Sequence, residues 1–82
     1  MSLEYYKKQM VDLRARLAKE KEAKKRDNEY YADLVKRSST PNSKASYRKA
    51  KIDHAASHDR NIESIKRQIE SCKDSIARER KR

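Results

Sequence analysis

Two histidines in this sequence have the residue type and spacing for metal chemistry. His54 and His58 are four residues apart, which places both imidazoles on one face of a helix, as in helical zinc sites. The glutamate that serves metalloproteases as general base is missing between them, and Cys72 lies about 21 Å further along a helix, too far to share a metal ion. We therefore interpret both histidines as solvated or interhelical side chains, and we predict no metal site and no cofactor.

Other kinds of catalytic site need residues that the chain lacks. The sequence contains no glycine, which phosphate-binding loops, dinucleotide-binding turns and nucleophile elbows require for close backbone approach or a positive φ. Its single cysteine excludes an internal disulfide and a zinc site built from several thiolates. We predict a protein that is not an enzyme and has no small-molecule substrate.

The apolar residues in both halves of the chain recur with the seven-residue period of a coiled coil. Their spacing alternates between three and four residues, and each stripe becomes polar towards the middle of the chain, through Glu20, Lys24 and Asp27 in the first half and His58 in the second. We term the apolar members of the two stripes the seam: Leu3, Tyr6, Met10, Leu13, Leu17, Tyr31, Leu34, Ile62, Ile65, Ile69, Cys72 and Ile76.

A cluster of turn-forming residues at 38–43 separates the two stripes. Thr40 followed by Pro41 is typical of an N-cap and the first helical residue, and Ser43 is an alternative N-cap. A short connection makes two helices antiparallel neighbours. We predict a single domain over residues 1–82, with helix 1 at about 3–37, a turn at 38–43 and helix 2 at about 41–80.

The two stripes agree on an antiparallel register. If the chain folds back near residues 39 and 40, facing residues lie at equal distances from that point, so Leu13 faces Ile65. The same rule gives the facing pairs of the polar middle: Glu20 with His58, Lys24 with Ala55, and Asp27 with Lys51 or Ile52. The fold point was chosen from turn chemistry alone, so this agreement is independent support. The predicted fold class is all-α, a two-helix antiparallel coiled-coil hairpin with arms about 50 Å long.

The predicted core is thin. Only 34% of the residues are apolar, 44% are charged, and there is neither Phe nor Trp. A two-helix layer buries its apolar side chains on one side only, and a chain of about 80 residues seldom gains much stability from a single core. We therefore expect self-association or a protein partner to complete the core.

The sequence also bears on location. No apolar run approaches the 18 or so residues of a membrane span, and the N-terminus has no basic-then-apolar signal pattern. A lone cysteine fits a reducing compartment. We expect a cytoplasmic protein, and we disfavour a membrane partner because the opposing helix already covers the apolar stripe.

The basic residues and the tyrosines are candidate contacts with a partner. The net charge of +10 attracts polyanions, although it also keeps a narrow helical protein in solution. The sequence has no compact group of side chains of the kind that a recognition helix presents to base edges, so any nucleic acid would be bound through its phosphates. In each tyrosine pair one ring lies on the seam and its neighbour turns about 100° away, where it is available as an interface anchor. The candidate partner contacts are Tyr5, Tyr30, Lys24, Lys25, Arg26, Arg80, Lys81 and Arg82.

These features favour a protein-interaction module, a basic helical hairpin that oligomerises or docks on a larger partner as an accessory subunit. The alternative is a sequence-independent nucleic-acid-binding protein that uses its basic surface.

Overall fold

The computed structural model describes residues 2–81, which form two long helices. Helix α1 spans Leu3–Arg37 and helix α2 spans Pro41–Arg80, and they pack antiparallel along their whole length. The Cα trace is 64 Å long but only 14 by 12 Å across, and residues 2–81 contain no strand. The prediction of an all-α helical hairpin is confirmed.

The turn between the helices is closed by hydroxyl side chains. Thr40 is the N-cap of α2: its Oγ1 accepts a hydrogen bond from the backbone N–H of Ser43 at 3.2 Å. Pro41 occupies the first helical position, where its missing N–H breaks no helical hydrogen bond. At the end of α1, both the backbone N–H and the hydroxyl of Ser38 donate to the carbonyl of Leu34. Only three residues therefore separate the helices, and α2 must return beside α1.

The best-buried of residues 2–81 lie in the open half of the hairpin, where the start of α1 meets the end of α2. They are 5–8% exposed, and among the described residues no side chain is less than 2% exposed. A core one residue thick thus stays in reach of solvent from both sides of the seam. The buried residues are Met10, Leu13, Ile62, Ile69 and Cys72; Tyr6, Leu17, Ile65 and Ile76 pack against this core, and Leu3, Tyr31 and Leu34 are half-buried.

Replacing Tyr6 by cysteine should create an intrachain disulfide with Cys72. The Cys72 thiol already donates to the Tyr6 carbonyl at 3.1 Å, so the two residues are neighbours although they are 66 positions apart. A cross-link over such a loop stabilises a fold by about 4 kcal/mol in the chain-entropy model. Non-reducing electrophoresis and thermal unfolding of Tyr6→Cys, with and without reductant, measure both effects. Tyr5→Cys is the matched control, because residue 5 points about 100° away and should give no intrachain cross-link.

Candidate functional site

In the middle of the hairpin, His58 lies between two carboxylates of α1. Its Nδ1 is 2.6 Å from Glu20 Oε1 and its Nε2 is 2.6 Å from Asp27 Oδ2. A protonated imidazole donates from both nitrogens, whereas the neutral ring donates from one only. The hydrogen bonds to Asp27 and then Glu20 accordingly raise the pKa of His58, and the hydrogen bond from His58 lowers the pKa of Glu20. We term Glu20, Asp27 and His58 the polar clamp.

Two further contacts extend the polar clamp on the Glu20 side. Asn61 Nδ2 donates to Glu20 Oε1 at 3.1 Å, which also lowers the pKa of that carboxyl group. The Lys24 ammonium forms an ion pair of 2.6 Å with Asp59, across the two helices. Lys24, expected from its spacing to face an alanine, is therefore engaged within the hairpin. Since both contacts join α1 to α2, the polar centre holds the two arms at one register.

On the other side of the polar clamp, a second histidine contacts α1. The His54 Nε2 is 3.1 Å from the Tyr31 hydroxyl, and the two rings lie 5.0 Å apart at a tilt of 37°. The His54 Nδ1 is 3.6 Å from Asp27 Oδ2, so this carboxylate lies between both histidines. Each of these groups has a protein partner across the helix interface.

The polar centre has the chemistry of a register lock. Sliding α2 by one heptad in one direction would bring Ile65 to the carboxylate of Glu20, and sliding it in the other direction would bring His58 to Leu13, away from both of its acceptors. Among residues 2–81 no group of three or more His, Cys, Asp or Glu side chains is arranged to hold a metal ion. The arrangement can thus fix which residues meet across the seam, as polar core residues do in coiled coils.

One long edge of the hairpin is almost uncharged, and we term it the neutral edge. Gln9, Arg16, Gln68 and Ser75 share one groove beside the seam, which places them on the same side of both helices. Residues seven positions apart stay on one side of a coiled-coil helix. Arg16 and Arg37 are its only members with a permanent charge, although 44% of the chain is charged. The neutral edge comprises Gln9, Arg16, Ala23, Tyr30 and Arg37 of α1 and Tyr47, His54, Asn61, Gln68 and Ser75 of α2.

The opposite edge carries positive charge in its open half. Two positions along a helix correspond to about 200° of rotation, so residues two positions before the neutral edge lie across the seam from it. Lys7, Arg14 and Lys21 are exposed there, and within residues 2–81 none of them forms an ion pair. We term this surface the basic edge; its members are Lys7, Arg14, Lys21, Lys66, Lys73 and Arg80.

The tyrosines chosen from the sequence as partner contacts lie on the surface. Tyr5 is 42% exposed, and its hydroxyl accepts a hydrogen bond from Gln9 at 2.8 Å. Tyr30 is 60% exposed, and its ring meets that of Tyr31 edge-on at 5.1 Å. Tyr30 thus combines a large exposed ring with a place on the neutral edge.

The basic residues chosen from the sequence are dispersed. Arg26 pairs with Glu22 at 3.5 Å within α1, whereas Lys25, Arg80 and Lys81 are exposed. Arg82 lies outside the described residues. The two edges were missed from the sequence, although the signal was present in the seven-residue repeats flanking the seam.

Neither helix of the described chain is long and apolar enough to cross a membrane. Comparison of the sequence with protein-family models and with curated proteins, and of the fold with solved structures, gave no match.

Proposed function

We propose that this chain is a non-enzymatic protein-interaction module, a basic helical hairpin that serves as an accessory or assembly subunit of a larger complex. The observation that carries the proposal is the open seam. Its best-buried side chain, Cys72, keeps 5% exposure, and large apolar side chains such as Tyr30 lie outside the seam. Further helices packed along one edge would enclose the core that two helices leave half-covered.

The neutral edge supports a protein as the partner. Protein interfaces are depleted in lysine and acidic residues at their centre and enriched in tyrosine. The neutral edge has this composition, with Tyr30 and Tyr47 as aromatic members and asparagine, glutamine and serine as hydrogen-bonding groups. The polar clamp contributes indirectly, because it holds both helices at the register that forms this edge.

Capture from cells of the source organism tests the proposal. The tagged full chain, purified after nuclease treatment and washed at high salt, should retain a protein in stoichiometric amount. Tyr30→Ala should lower that recovery about tenfold, as loss of an aromatic anchor does. Ile52→Ala is the matched control, because Ile52 is also exposed, at 67%, but lies across the seam from the neutral edge.

A nucleic-acid-binding function is the second candidate, and the basic edge favours it. Lys7, Arg14 and Lys21 recur every two turns with no acidic partner within residues 2–81, as phosphate contacts would. This function predicts duplex binding that is independent of base sequence and weakens steeply with salt. The triple variant Lys7→Glu/Arg14→Glu/Lys21→Glu should lose this binding, whereas Tyr30→Ala should bind normally. That combination of results would favour nucleic-acid binding over the first proposal.

A further inference from the structure

The neutral edge contains an open groove in the open half of the hairpin. The groove has a volume of about 290 Å³. Tyr6, Leu13 and Cys72 of the seam line it, together with polar residues such as Gln9 and Ser71. It therefore offers an apolar floor with hydrogen-bonding walls, which suits an aromatic side chain that carries a hydroxyl.

The exposed ring of Tyr30 lies on the same edge, in the other half of the hairpin. Tyr30 is 21 positions after Gln9, about 30 Å along α1. The midpoint between them falls close to Glu20, which is also the middle residue of α1, Leu3–Arg37. A two-fold axis through that midpoint, perpendicular to the helices, places Tyr30 of each copy over the groove of the other copy. The two hairpins then overlap along their full length.

We propose that a second copy of this chain docks on the neutral edge about this axis, with the open half of each copy over the turn half of the other. Tyr30 of each copy then enters the groove of its partner, as a two-fold interface requires of any contact. This inference rests on the proposed function and names its partner.

Charge and area both favour a second copy at this edge. Two chains of charge +10 repel each other wherever their basic surfaces meet, but the neutral edge contributes only two permanent charges, and each has a carboxylate nearby. Arg16 has Asp12 beside it in the groove, and Arg37 pairs with Asp33 at 3.1 Å. A strip 64 Å long and 12 Å wide covers about 770 Å². That is close to the roughly 800 Å² per partner of a stable interface.

Disulfide trapping tests the arrangement with the full chain. In a Cys72→Ser background that keeps Tyr30, Arg16→Cys with Ala23→Cys should give a covalent dimer under mild oxidation, since the axis brings each position beside the other of the partner copy while about 10 Å separates the two within one chain. The matched control is Arg14→Cys with Lys21→Cys, a pair with the same spacing on the opposite side of the seam, which should stay uncross-linked. In sedimentation equilibrium, the chain with Tyr30 intact should dimerise, and Tyr30→Ala should weaken dimerisation about tenfold.

Two results would overturn the inference. A chain that sediments as a monomer up to several hundred micromolar has no second copy on its neutral edge. A dimer trapped by the Arg14–Lys21 pair instead would show that the two copies meet through the opposite edge. A monomer that still retains a different protein after nuclease treatment would refute the self-association while the proposed interaction function stands; a monomer that retains none would refute both.

Discussion

Replacing Leu13 by alanine should unfold the hairpin at 25 °C. Leu13 is 7% exposed and packs with Met10, Ile69 and Cys72 in the main apolar cluster. A buried leucine-to-alanine change lowers the free energy of unfolding by about 2–5 kcal/mol. A single core in a chain of this size rarely supplies more than about 3–5 kcal/mol. The far-UV circular dichroism of Leu13→Ala at low micromolar concentration should therefore lose most of its helical signal.

Val11→Ala is the matched control for this loss. Val11 lies two residues before Leu13 on the same helix and is 68% exposed. Its truncation removes almost no buried surface, so stability should change by no more than about 0.5 kcal/mol. A Leu13→Ala chain with full helicity and an unchanged melting temperature would contradict the view that the hairpin depends on this one layer of side chains.

The hairpin could be predicted from the sequence because two independent constraints agree. The three-and-four spacing of the apolar residues defines a stripe on each helix, and the Thr40–Pro41 pair locates the start of the second helix. Equal distances from that turn bring Tyr6 beside Cys72, whose thiol contacts the Tyr6 carbonyl. Helical periodicity and a short turn are both local properties, so they can be read from sequence alone.

The partners in the polar centre could be predicted only in part. Glu20 was placed opposite His58, and the two are in contact. Asp27 was placed near Lys51 or Ile52, but it reaches His58, because an imidazole has two nitrogens and can bridge acceptors above and below it along the seam. The spacing of the seam predicts which backbone positions face each other. It does not predict polar contacts, because long polar side chains reach partners a helical turn or more away.

The two edges are not apparent from the order of charges along the chain, because a helix turns consecutive residues in different directions. Consecutive residues such as Lys24, Lys25 and Arg26 point in three directions, so a run of basic residues is not a surface. Lys24 lies in an interhelical ion pair and Arg26 in an intrahelical one, which leaves Lys25 as the exposed residue of the three without an ion pair in residues 2–81. Residues seven apart, such as Lys7 and Arg14, do share a surface.

The thermal stability of the hairpin should decrease as the pH is raised from about 6 to 9. The hydrogen bonds to Asp27 and Glu20 raise the folded pKa of His58 above its ordinary value of 6.5. Stabilisation by His58 is therefore complete below pH 6.5 and is lost as the pH rises through the folded pKa. Glu20 acts in the opposite sense: its pKa is lowered from 4.5, so its contribution is present above pH 4.5 and is lost as the pH falls through its folded pKa. Stability should be greatest between these limits.

Variants of the two histidines distinguish the effect of His58 titration in the polar clamp from the titration of other ionisable groups in this charged chain. His58→Gln cannot become protonated, so its melting temperature should be lower than that of the parent chain near pH 6 and nearly constant from there to pH 9. His54→Gln should keep the parent dependence, because His58 still lies 2.6 Å from both Glu20 and Asp27. Melting curves recorded by circular dichroism at fixed ionic strength measure all three proteins. If His58→Gln loses stability above pH 6 as steeply as the parent chain, another group controls the transition and the imidazole bridge does not stabilise the fold through its charge.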